Sequence, residues 1–142
     1  MEMHQRAEEL LLALPPGHPL MRKRFIRAAD LEDERLIVLK EGHCLGDQVL
    51  RYCDRRDARP DISFRSAQLE TVQSLVRAGL GLSLIPAMSA QSERDDLPDY
   101  RSLSVPRPSR IIVAFWPKKR PPVRAAGEFL KMISVRYVKS RH

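Results

Sequence analysis

Cys44 and Cys53 are the only cysteines of this 142-residue chain, and they stand nine positions apart. The stretch that carries the first of them, Gly42-His43-Cys44-Leu45-Gly46-Asp47-Gln48, begins after an apolar run and opens a segment with helical spacing. A thiol at a helix N-terminus meets unpaired N–H groups and partial positive charge, and both favour thiolate over thiol. Cys44, next to His43, is therefore a candidate reactive thiol. A free cysteine is also a small apolar side chain suited to packing, and the local sequence leaves both readings open. Nine residues of helix rise about 13 Å, whereas a disulfide needs Cα atoms within about 7 Å. The two thiols cannot bridge while the helix stands, and bridging would require the segment between them to unwind, which makes the pair a switch and not a staple.

Other chemistry is poorly supplied. The four histidines are scattered, and none stands with a second Cys or His at zinc-ligand spacing from Cys44. No metal and no cofactor are expected. Gly79-Leu80-Gly81 follows a helical segment instead of opening one and lacks a third glycine, so it fails as a nucleotide loop. Its expected work is to end a helix and turn into Leu82-Ser83-Leu84-Ile85.

The elements that must position these residues alternate. Short apolar runs bounded by turn formers predict strands at 10–14, 36–39, 62–65, 82–85 and 111–116. Helical spacing predicts helices over 45–55, with Leu45, Val49 and Tyr52/Cys53 on one face, over 69–78, closed by Gly79, and over 123–138. The last should dock its stripe of Ala126, Phe129/Leu130, Ile133 and Tyr137 on a sheet. The proline-bearing stretch 91–109 reads as a long crossing loop. Strands alternating with helices argue an α/β fold.

Composition bounds the rest. A chain that is 43% hydrophobic and 30% charged has the makings of one compact globular domain, and its length leaves no room for a second. The formal charge of +7 is uneven: residues 1–100 hold 14 Lys/Arg against 17 Asp/Glu, and residues 101–142 hold 11 against Glu128 alone. No aromatics interleave with the basic residues as a nucleic-acid stacking surface needs, so the stretch reads as a solvated tail. The apolar run Leu10-Leu11-Leu12-Ala13-Leu14 stops at Pro15-Pro16, far short of the ~20 residues that span a bilayer. Acidic residues precede it, unlike a signal peptide. The expectation is a cytoplasmic protein with no membrane partner, and two cysteines suit a reducing compartment.

Gly42-His43-Cys44-Leu45, Asp47-Gln48, Cys53, Phe64-Arg65, Leu69-Glu70-Thr71-Val72 and Val76-Arg77-Ala78-Gly79-Leu80-Gly81-Leu82-Ser83-Leu84-Ile85-Pro86 follow one another in an order and spacing that resemble LysR-type transcription regulators, on the peroxide-responsive OxyR branch. Leu11-Leu12-Ala13-Leu14, Gly17-His18-Pro19-Leu20 and Ala29-Asp30-Leu31 extend the resemblance upstream. It implies a periplasmic-binding-protein-like effector domain, with 9–110 as a complete second subdomain and 111–142 as the returning strand and C-terminal helix of a partial first one. It implies Cys44 as the peroxide-reactive thiol and Cys53 as its resolving partner, with His43, Asp47, Arg65 and Arg110 supporting the thiol pocket. It implies self-association as a homodimer or tetramer through the helix bearing Leu69, Val72, Val76 and Ala78. The family's N-terminal winged helix-turn-helix, through which DNA would be read, has no counterpart in these residues. Gly46 stands where the motif has arginine, Ser63 where some relatives have histidine, and Gln68 where the helix often begins with serine. These departures keep a second reading open, a small organic effector bound at a cleft with the cysteines as bystanders. A third, a stand-alone thiol peroxidase, would need a reductant docking site that the sequence does not suggest, and the chain is expected not to be an enzyme.

Overall fold

The computed structural model describes residues 2–40, 44–90 and 94–138. Strand β1 (Glu2–Leu14) is the spine of a four-stranded sheet. It runs antiparallel to β4 (Ser83–Pro86), with Leu12 opposite Leu84 and Leu11 opposite Ile85. On its other side it pairs antiparallel with β5 (Asp99–Arg101), with Ala13 opposite Tyr100; β6 (Ser109–Trp116) also pairs with β1. A second pair, β2 (Arg35–Leu39) and β3 (Asp61–Ser66), is parallel. Parallel neighbours need a crossover, and helix α1 (Cys44–Arg55) supplies it. Leu82 joins β2 beside β4: its carbonyl accepts from the Ile37 N–H and its N–H donates to the Arg35 carbonyl, both at 2.8 Å.

Burial explains why β2 reads as an unbroken apolar run. Leu36, Ile37, Val38 and Leu39 are all enclosed, as expected of a strand covered on both faces. They join Leu10, Leu12, Leu14, Leu82, Leu84 and Ile85 in one core. Helix α2 (Leu69–Arg77) closes this core with Val72 and Val76. Its end has the pair of hydrogen bonds expected of a left-handed cap, Gly79 N–H donating to the Val76 carbonyl and Leu80 N–H to the Leu75 carbonyl, at 2.9 and 3.1 Å. Gly79 has φ +84°, as the sequence predicts for it.

The chain divides into two compact units, residues 7–111 and residues 1–6 with 112–142. The smaller contains the far end of β6 and helix α3 (Arg124–Val138). Three sequence expectations are corrected. The first strand begins at Glu2, not near residue 10, because its early residues are polar and hide the pattern. The stretch 91–109 is not all loop: Asp99-Tyr100-Arg101 is too short and polar to announce the strand it forms. The stripe of α3 is covered only in part among the described side chains: Ala126 and Leu130 are half-buried, whereas Phe129 is 61% and Ile133 38% exposed. That unit offers strand segments and one helix, too little to cover the stripe.

Candidate functional site

Helix α1 carries the cysteines and is seated by its apolar face. Leu45, Val49 and Cys53 fall at i, i+4 and i+8 and are all buried. Cys44 is the first residue of the helix and is exposed. The packing reading therefore fits Cys53 and does not describe Cys44. Burial pushes the Cys53 thiol up to about 11, and the neighbouring Asp54 charge adds to the shift. Both thiols are free, held on one intact helix.

The first turn of α1 lies hard against the end of β2. A Cβ on Gly46 would sit 2.5 Å from the Leu39 carbonyl oxygen and 3.3 Å from that of Lys40. The approach exists only because residue 46 has no side chain, which gives the departure from arginine a structural meaning in this chain. Asp47, half-buried in the same turn, places negative charge at the positive end of the helix.

The other sequence-nominated residues are placed as follows. His43 lies outside the described residues. Arg65 lies on β3 with its side chain exposed. Arg110, at the start of β6, donates from Nε to Glu8 Oε2 at 2.6 Å, and Glu8 Oε1 accepts from the Met88 N–H at 2.9 Å. The Glu8 side chain is fully buried, so this arginine answers a charge inside the fold. Of the four nominated dimer residues, Val72 and Val76 are buried in the core. Leu69 is half-buried and Ala78 exposed, so only these two offer surface to a partner.

Sequence reading missed a cavity of about 240 Å³ within the larger unit, between the second half of α1 and the 106–109 segment. Arg51, Arg55, Arg56 and Arg107 line it with Gln48 and Tyr52. Burial holds the Tyr52 hydroxyl above its ordinary value, against the nearby Arg56 charge. Among the described residues Gln48 Oε1 is buried without a hydrogen-bond partner. The signal was available as three arginines within six residues, but Arg107 is distant in sequence and joins them only through the fold. Among the described residues no group of three or more His, Cys, Asp or Glu could hold a metal, and no helix is long and apolar enough to cross a membrane.

The family model described as the LysR substrate binding domain matches residues 4–136. The DNA-binding transcriptional dual regulator OxyR of Escherichia coli K12 is 39% identical over 106 residues, which cover 74% of this chain and 35% of that protein. A probable hydrogen peroxide-inducible genes activator of Mycobacterium avium is 43% identical over 108 residues, covering 74% and 34%. The reduced form of the OxyR regulatory domain from Pseudomonas aeruginosa matches with a TM-score of 0.71 at 30% identity, over 88% of this chain and 62% of that one. The match spans only about a third of the length of these curated relatives. The α/β architecture is that of periplasmic-binding-protein-like effector domains. A family match over nearly the whole chain, with OxyR proteins beside it, makes this chain a member of the LysR substrate-binding domain family of transcription regulators.

Proposed function

We propose that the chain is the sensing part of a peroxide-responsive transcription regulator, and that its signal is a disulfide between Cys44 and Cys53. The observation that carries the reading is the unequal placement of two thiols on one helix, Cys44 exposed at its first residue and Cys53 buried nine positions on. The Cys44 thiolate attacks one peroxide oxygen, the O–O bond breaks, and the departing hydroxide takes a proton to become water, leaving a sulfenic acid. The Cys53 thiolate then attacks that sulfur and the S–O bond breaks, releasing a second water once protonated. Two thiols thus give up two electrons and two protons to one peroxide.

The second step is gated by α1. Cys53 is out of reach along the helix, and burial keeps it protonated, so local opening both delivers and activates it. Closing the loop costs the opened segment about 2 to 3 kcal/mol of chain entropy, so the oxidation by peroxide must drive both the loss of helix and the closure. The relative solved in a reduced form belongs to a protein with the same family resemblance. Partners follow the parent family on this reading: a second copy of the chain, and DNA through a winged helix-turn-helix. Mild peroxide should give a Cys44–Cys53 linked peptide by mass spectrometry and less helix by circular dichroism. Cys44→Ser should abolish the link, and Cys53→Ala should leave a longer-lived sulfenic acid on Cys44. Both thiols still reduced, at doses that oxidise a control reactive thiol, would reject the redox reading.

A further inference from the structure

We propose that the arginine-lined cavity against the second half of α1 binds a small organic anion, one bearing a phosphate or carboxylate group, and that the bound anion holds α1 helical. Arg51 and Arg55 are one helical turn apart on α1, Arg56 follows them, and Arg107 faces them from the 106–109 segment. Arg51, Arg55 and Arg56 pair with no carboxylate among the described residues, and Arg107 reaches only Glu9, at 3.9 Å. Four exposed cations against one carboxylate leave the lining of the recess net positive. A guanidinium presents a planar fork of donors that matches the oxygens of a carboxylate or phosphate.

The remaining lining says what else the anion carries. Leu10, Pro106 and Pro108 form an apolar wall for a short carbon frame. The recess, of about 240 Å³, has room for a small organic anion.

The position adds regulation. Gln48, Arg51 and Tyr52 lie between Cys44 and Cys53, in the segment that must unwind for the thiols to meet. A ligand bound to the helical arrangement and not to the opened one draws the population toward helix. This second half rests on the redox reading; the binding site itself does not.

The test uses the reduced full chain and isothermal titration calorimetry at physiological ionic strength. Glycerol 3-phosphate and citrate are the organic probes, and sulfate is the plain-charge control. Saturable one-to-one binding of either organic probe, tighter than sulfate, is expected. Arg51→Gln combined with Arg55→Gln should weaken it by about tenfold or more, with the fold confirmed by circular dichroism, while Arg124→Gln on α3 should leave it unchanged. No saturable binding, or an equal response to sulfate, overturns the site. With the probe at about ten times its Kd, Cys44–Cys53 bridging under peroxide should slow about tenfold, and should not slow in the double variant. Binding with an unchanged bridging rate overturns the coupling. Absence of bridging with or without probe defeats the redox reading and leaves the calorimetric result standing.

Discussion

Two arginines that the sequence treats alike differ sharply in their surroundings. Arg110 answers the fully buried carboxylate of Glu8, so removing it takes a cationic partner from a charge in the interior. Arg110→Met is expected to cost about 3 kcal/mol in urea unfolding, whereas Arg65→Gln, on an exposed side chain, should stay within about 0.5 kcal/mol. Equal costs would show that the Glu8 pairing contributes nothing. The buried Cys53 thiol gives a second contrast, read through pH. Its value in the fold, about 11, lies above the 9.0 of an ordinary thiol, so the neutral form favours the folded chain. That contribution is whole below about pH 9 and is lost as pH rises through about 11, a decline on the order of 2 to 3 kcal/mol. Cys53→Val removes the titrating group, and its unfolding free energy should fall less than that of the parent chain between about pH 8 and about pH 11. Parallel curves for the two proteins would contradict the assignment.

Among elements, α1 and α3 set opposite expectations for the same substitution. Alanine is favoured over glycine inside a helix by about 1 kcal/mol, and at Gly127 nothing lies within 4 Å to oppose the new methyl. Gly127→Ala should raise the melting temperature. At Gly46 the methyl would meet the Leu39 carbonyl oxygen at 2.5 Å, and α1 must move away from β2. A net loss of about 1 to 3 kcal/mol is expected there, and a raised melting temperature would mean the close approach does not exist. The residues that made these elements legible in sequence were those with a single job. Leu36 to Leu39 are enclosed on both faces and read as a run; Val72 and Val76 recur at helical spacing; Gly79 marks a stop that only a left-handed backbone position explains. Legibility failed where a residue's role depends on a distant one. Glu8 looks like part of a polar lead-in until Arg110 is brought to it, and Asp99-Tyr100-Arg101 becomes a strand only because β1 has an edge to offer. The candidate site divides the same way. Both cysteines announced themselves by spacing, and Arg107 could not.

At the scale of the molecule, the smaller unit leaves Phe115, Phe129, Met132 and Ile133 open to water, and 38% of the matched OxyR chain lies outside the alignment. Apolar surface of this kind drives association. Sedimentation should show a molecular weight that climbs with concentration, reduced by Phe115→Ser with Phe129→Ser; a clean monomer at high concentration would refute it. The enclosure of Cys53 bears on time as well as space. Under the proposed switch, a chain oxidised at Cys44 cannot store the event until its helix opens, and in that interval other thiols can return the sulfenic acid to its starting state. The molecule then behaves as a low-pass filter. Brief bursts of oxidant are forgotten, and only an exposure that outlasts the opening interval is written into the chain.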